Sequence, residues 1–209
     1  MPSTILDCVN KALVKLGADR ISSGEFAAPS NKNSREASAI YLSVLDAELR
    51  KNTWRFATFR SSLPVSGLTP ALGYTSAYEF PTSIVVLRLI QVGEYYPGAE
   101  IVDYVTGDDA PYTYENGVIS TNDAGPIRVK YVSRISNIAL IDPFDDSLFV
   151  EAYACKLAME LAEVITASDA KRERASREYR DAIMEAVRTN AIEAPPNKVA
   201  DDTWILSRL

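Results

Sequence analysis

Apolar positions recur with two different periods along this chain, and the places where the period changes divide it. Over residues 142–189 the spacing is helical. Leu148, Ala152, Cys155, Met159 and Ala162 form one stripe, and Val150, Ala154, Leu157, Leu161 and Ile165 form a second. A helix that is apolar on two sides is packed on two sides, so residues 146–164 are expected to be a core helix. Ser168 is a good N-cap for a partner helix reaching residue 188. Its apolar line is Ala175, Tyr179, Ala182, Ile183, Ala186 and Val187, and the remainder is charge of both signs. The pair reads as a helical hairpin with one buried member and one that lies over it, its outer face in water.

The N-terminal part has the same period. Leu6, Val9, Leu13 and Leu16 predict a helix over residues 4–16, with Ser3 as cap and Gly17 as the terminator past its end. The stretch 18–33 is rich in Ser, Asn, Gly and Pro and reads as a loop. Ala37, Ile40, Tyr41, Val44, Leu45 and Leu49 predict a second helix over 34–51.

From residue 54 the period becomes two. WRFATFRSSLPV carries aromatics on both parities, which predicts a strand covered on two sides at one end. Ile84 to Val92 is the strongest strand signal. Tyr112-Thr113-Tyr114 and Val118-Ile119-Ser120 flank Asn116-Gly117, a hairpin signal, and Ile127, Val129 and Tyr131 alternate with Arg128, Lys130 and Val132. The order predicts an α+β chain. A four-helix bundle, two helices N-terminal and two C-terminal, is built from residues 1–52 and 140–190. A small antiparallel module of roughly three to five strands, 53–139, is inserted as a protrusion, and an extended arm, 191–209, follows Pro195-Pro196.

Composition narrows the chemistry. The chain has 209 residues, 47% of them hydrophobic, and a net charge of −6. An acidic surface disfavours general binding of nucleic acid, although DNA can slide along such a wall without sticking. No histidine is present, which removes histidine triads, histidine metal sites and imidazole acid–base catalysis. Cys8 and Cys155 lie on apolar stripes and are expected as buried free thiols. No run approaches the ~18 apolar residues of a membrane span, and the N-terminal segment lacks the basic leader of a signal peptide. Phosphate-binding, nucleophile-elbow and zinc motifs are absent. Carboxylates are the remaining catalytic candidates, as adjacent pairs (Asp108-Asp109, Asp145-Asp146, Asp201-Asp202) or as an acid–base pair drawn from Glu48, Glu79, Glu94, Glu100 and Glu115. Adjacent acids suit turns and caps better than a shared substrate. Tyr74, Tyr78, Tyr95, Tyr96, Tyr104, Tyr112 and Tyr114 cluster in the β segment, where both sheet packing and an interface suit them. No catalytic, cofactor or metal site is therefore assigned. The least ordinary feature is the Trp204-Ile205-Leu206 cluster ending a polar, Pro-rich tail. It either folds back on its own domain or docks on another chain, and an apolar cluster with no local core favours docking.

Several of these segments resemble a known family. They are the first helix ending in Leu16-Gly17, LRKNTWRFA leaving the second helix, FVEAYACKLAMELAEVIT, and the terminal WILSR. Together they are similar to the tail tubular protein A, or head-to-tail adaptor (connector), family of short-tailed bacteriophages, over nearly the whole chain. The resemblance implies a structural virion protein and not an enzyme. It implies a ring, usually of twelve subunits, assembled in the host cytoplasm, that docks under the portal protein, extends the DNA channel used in genome ejection without binding DNA specifically, and anchors the tail nozzle protein. No cofactor and no membrane are implied. Trp204, Ile205, Leu206 and Arg208 become portal or subunit docking residues, and Arg172, Arg177 and Arg180 possible subunit contacts. The alternative is a virion-associated peptidoglycan hydrolase using a Glu/Asp pair.

Overall fold

The structure is a computed structural model, and it describes residues 4–93, 111–135 and 146–193. Among the described residues five α-helices and six strands form: α1 (Ile5–Lys15), α2 (Ser23–Ala27), α3 (Lys32–Lys51), β1 (Thr58–Leu63), β2 (Ser76–Glu79), β3 (Val86–Val92), β4 (Tyr112–Glu115), β5 (Val118–Thr121), β6 (Ile127–Ser133), α4 (Ser147–Thr166) and α5 (Asp169–Ile192). The strands make two antiparallel three-stranded sheets, ordered β1-β6-β3 (sheet 1) and β2-β5-β4 (sheet 2).

Helix ends follow local chemistry. Thr4, Ser22 and Asn31 close capping boxes with Asp7, Glu25 and Ser34, each satisfying two backbone donors that a helix start leaves open. Asp146 accepts from the amides of Leu148 and Phe149, both at 3.0 Å, and Ser168 caps α5. Gly17 follows α1 at φ +67°. Asn116 and Gly117 take φ 51° and 82° between β4 and β5, the two left-handed residues that a tight hairpin turn matching the strand twist requires.

α4 is the central helix. Ten of its residues are buried, from Phe149 to Ala162, against α1, α3 and α5. Trp54 is fully buried beneath it, with ring centroids 4.9 Å from Phe149 and 5.9 Å from Phe56. Its indole Nε1 donates to the Glu48 carbonyl at 3.0 Å. No described helix is long and apolar enough to cross a membrane.

The expectation of a four-helix bundle bearing one small inserted module is corrected: a fifth helix and a second sheet are present, and sheet 1 is part of the helical core. Val132 is fully buried within the cluster formed by the helices, and Leu87, Ile90 and Ile135 pack against that cluster. The opposite face of sheet 1, with Leu63, Leu89, Val92, Ile127, Val129 and Tyr131, packs on Tyr78 and Ile119 of sheet 2. The molecule is thus layered as helices, sheet 1 and sheet 2. The cause is that β3 is apolar on both faces, with Leu87 and Ile90 on one and Val86, Leu89 and Val92 on the other, and that β6 adds Val132 to the helix side, so both sides have to be covered.

β3 achieves this with two register shifts, between Val86 and Arg88 and between Leu89 and Gln91. Each shift sets an extra residue, Leu87 or Ile90, against the helices, while Val86, Leu89 and Val92 keep the sheet-2 side. A bulge of this kind places two residues opposite one and re-aims the side chains. The two-sided coverage expected around residues 54–61 lies instead on β3 and on the Val132 end of β6. Residues Arg55–Ala57 are a 3-10 turn, and Phe59 in β1 is 43% exposed.

The two halves are also joined by charge. Arg134, just past β6, grips Asp46 of α3 through its Nε at 2.9 and 3.1 Å and through Nη2. Such a bidentate fork fixes orientation as well as distance.

Candidate interaction surface

Among the described residues, no group of three or more His, Cys, Asp or Glu side chains is placed to hold a metal ion. Cys8 and Cys155 are buried and unbridged, as expected from their stripes. Burial pushes the Cys8 thiol up to about 12, far from the thiolate a nucleophile needs. Of the carboxylates weighed for a hydrolytic pair, Glu79 accepts from Ser66 at 3.1 Å and Glu115 from Thr113 at 3.1 Å. Asp146 is a helix cap. Glu94, Glu100, Asp108, Asp109, Asp145, Asp201 and Asp202 lie outside the described residues. Tyr78 is a packing tyrosine, fully buried, with its hydroxyl donating to the carbonyls of Asp123 and Gly125 at 2.9 and 2.7 Å. Tyr112 is half-buried against the core between the sheets, and Tyr114 is exposed. Tyr95, Tyr96 and Tyr104 lie outside the described residues, as do the docking candidates Trp204, Ile205, Leu206 and Arg208.

What the described part does build is a helix with two unlike sides. The inner side of α5 is held to the body by buried polar chemistry. Glu48 is 1% exposed. Its carboxylate accepts from Tyr179 Oη at 2.7 Å and from Lys51 Nζ at 2.6 Å. Burial pushes the Tyr179 hydroxyl up to about 12, and its hydrogen bond to the Glu48 carboxylate adds to the rise. Lys51 and Lys156 stand 5.7 and 5.5 Å from the centre of the Tyr179 ring, close enough for cation–π attraction. Nearer the start of the helix, Lys15 of α1 bridges Glu151 of α4 at 2.7 Å and Glu178 of α5 at 3.0 Å. Lys11 also pairs with Glu151. Burial works to raise the Glu151 carboxyl, but the two lysines outweigh it and hold it at about 2. Lys171 donates to the Leu16 carbonyl at 2.6 Å, at the negative end of α1.

The outer side is unlike this. α5 has 24 residues, and only Ala175 and Ala186 are buried. At 1.5 Å per residue the helix presents an open flank of ~36 Å. Arg172, Arg177 and Arg180, the expected subunit contacts, are all on exposed positions of this helix. Their partners are local and long: Glu163 at 3.4 Å for Arg172, Glu173 at 3.6 Å for Arg177, and Ser176 at 3.5 Å for Arg180. Exposed pairs of this kind contribute little to stability. Met184, 64% exposed, lies on the same face as Arg177 and Arg180, and Ile192, 72% exposed, lies near the end of the helix. Sequence reasoning placed the arginines on a wet face. Met184 and Ile192 fall off the apolar line and carried no signal, and Glu48, weighed as a hydrolytic carboxylate on an outward face between charged Asp46 and Arg50, is instead buried under Tyr179.

The chain matches no protein-family model and no curated protein.

Proposed function

We propose that this chain is a structural subunit of a phage head-to-tail adaptor ring, positioned in the virion between the portal and the tail nozzle, and that α5 carries a contact between neighbouring subunits. The observation that carries the reading is the outer flank of α5, in which exposed Met184 and Ile192 accompany Arg177 and Arg180 on a helix with only two buried residues. Apolar anchors rimmed by arginine are the composition of a protein–protein contact rather than of an idle surface. The loosely held arginines can exchange their local partners for a neighbour's carboxylates at small cost. The resemblance in the helix ends and the terminal WILSR supplies the identity of the assembly, and with it docking of the Trp204 arm on the portal or a neighbour. DNA passing through such a ring would not be bound specifically.

The test is the size of the full chain, alone and mixed with a portal ring, by light scattering and electron microscopy. Rings of about twelve copies, with or without the portal as template, are the expected result. Monomer under both conditions rejects the adaptor. In an Arg172→Glu/Arg177→Glu/Arg180→Glu variant that keeps its circular dichroism, assembly should fall at least ~tenfold in concentration dependence. Unchanged assembly removes α5 from the contact. Truncation after residue 193 should abolish portal docking, and docking at full strength would remove Trp204 from that role.

A further inference from the structure

We infer that the helix-side face of sheet 1, beyond the edge of the helices, is a binding site for phosphate groups. The inference is independent of the ring reading. The register places Arg60 opposite Lys130, Gln91 opposite Lys130 on the other side, and Ser62 opposite Arg128. These residues share the face that carries Val132 into the helical core, because side chains along a strand alternate between faces. The helices cover the Val132 end. The other end opens into a cleft of about 830 Å³ whose lining includes Arg60, Ser62, Gln91, Arg128 and Lys130, and one carboxylate, Asp123.

Three features make the cleft a site rather than an incidental groove. Directly opposed residues in an antiparallel pair stand ~4.5–5.5 Å apart, and like charges there are destabilising. Arg60 and Lys130 are such a pair, and Arg128 lies two residues, or ~7 Å, along the same strand. Next, the ion pairs of the described residues use other cations, so these three are left without a carboxylate within pairing distance among those residues. Finally, this concentration of positive charge occurs on a chain of net charge −6, against the overall field. Three cations in a triangle, two of them planar guanidinium forks, with a hydroxyl and an amide beside them, fit a compact oxyanion with several acceptor oxygens. A phosphate or phosphodiester has that form. A carboxylate of an acidic peptide would neutralise only one of the three.

The test uses the full chain and two variants, Arg60→Gln/Lys130→Gln and Arg128→Gln, with the exposed Arg35→Gln as control. The probes are inorganic phosphate, a short fluorescent oligonucleotide as single strand and as duplex, and a Glu-rich peptide. Phosphate should raise the melting temperature of the parent above that in chloride of equal ionic strength. The double variant should lose about tenfold or more in affinity while the control does not, and the slope of log K on log salt for an oligonucleotide should fall by ~0.7–0.9 per cation removed. Because the double variant relieves a like-charge pair, it should melt no lower than the parent in phosphate-free buffer, which separates lost binding from lost folding. Binding of phosphate alone assigns a small-anion site, and binding of the oligonucleotide as well assigns nucleic-acid backbone. Absence of binding to both, unchanged affinity in the double variant, or capture of the Glu-rich peptide that phosphate does not compete away overturns the inference.

Discussion

Glu48 has almost no contact with water, so its charge depends on the donors that meet it. Tyr179 and Lys51 supply them. Tyr179→Phe removes one donor, leaves the ring in place and should lower the unfolding free energy by about 1.5–3 kcal/mol, the range for a hydrogen bond to a charged group. Urea denaturation at neutral pH reads this directly, and a loss under ~0.5 kcal/mol would mean that water substitutes for the hydroxyl. Glu151 makes a different prediction. Its carboxyl is lowered from 4.5 to about 2, so the folded state binds its proton less readily than the unfolded chain does. Its contribution is therefore complete above pH 4.5 and is lost as pH falls from 4.5 toward 2. Stability of the parent should decline more steeply over that window than stability of Glu151→Gln, and parallel curves would show that Lys11 and Lys15 do not hold the charge.

At the scale of elements, the turns between helices are the testable points. Ala167 follows α4 in the left-handed region at φ 49°, a conformation that costs an L-residue roughly 1–2 kcal/mol. Ala167→Gly removes that strain but adds freedom to the unfolded chain, so a net gain of ~0.5–1 kcal/mol is expected by thermal or chemical denaturation. A loss would mean that the Ala167 methyl packs usefully. These ends also show what is legible in the sequence. Gly17, Ser168 and Asn116-Gly117 are each required by a particular backbone geometry and could be placed in advance. Ala167 could not, because nothing in alanine signals positive φ. α2 was hidden in a stretch rich in loop residues, although Ser22 and Glu25 carry the capping-box spacing that marks a helix start. The exposure of Arg172, Arg177 and Arg180 was legible from helical periodicity alone. The cleft was not, since Arg60 and Lys130 become neighbours only through strand pairing, which no local pattern specifies.

The whole molecule differs from the expected bundle with a protrusion for a reason visible in β3. The strongest strand signal, Ile84 to Val92, is apolar but for Arg88 and Gln91 and has no single period, and the missing information is where its register slips. With those slips in place, one sheet serves as floor to the helices and ceiling to the second sheet. The open flank of α5 and the basic cleft then lie on different layers, so the proposed subunit contact and the proposed anion site can be altered one at a time.

The slips have a consequence for how such a molecule can be changed. Five residues of β3 pair one to one with the run from Val129 to Ser133, and Leu87 and Ile90 are extra to that count. They act as shims between the helices and the sandwich. Deleting both should leave the ladder in unbroken register, with Val86, Leu89 and Val92 still turned toward sheet 2. Hydrogen exchange should then show β6 amides protected as before while the helical core melts earlier. The loss of β6 protection would show that the shims belong to the sandwich too. Two codons thus separate the fit of the helices from the fit of the sheets, and the spacing of the two halves can be retuned by insertion and deletion without rebuilding either one.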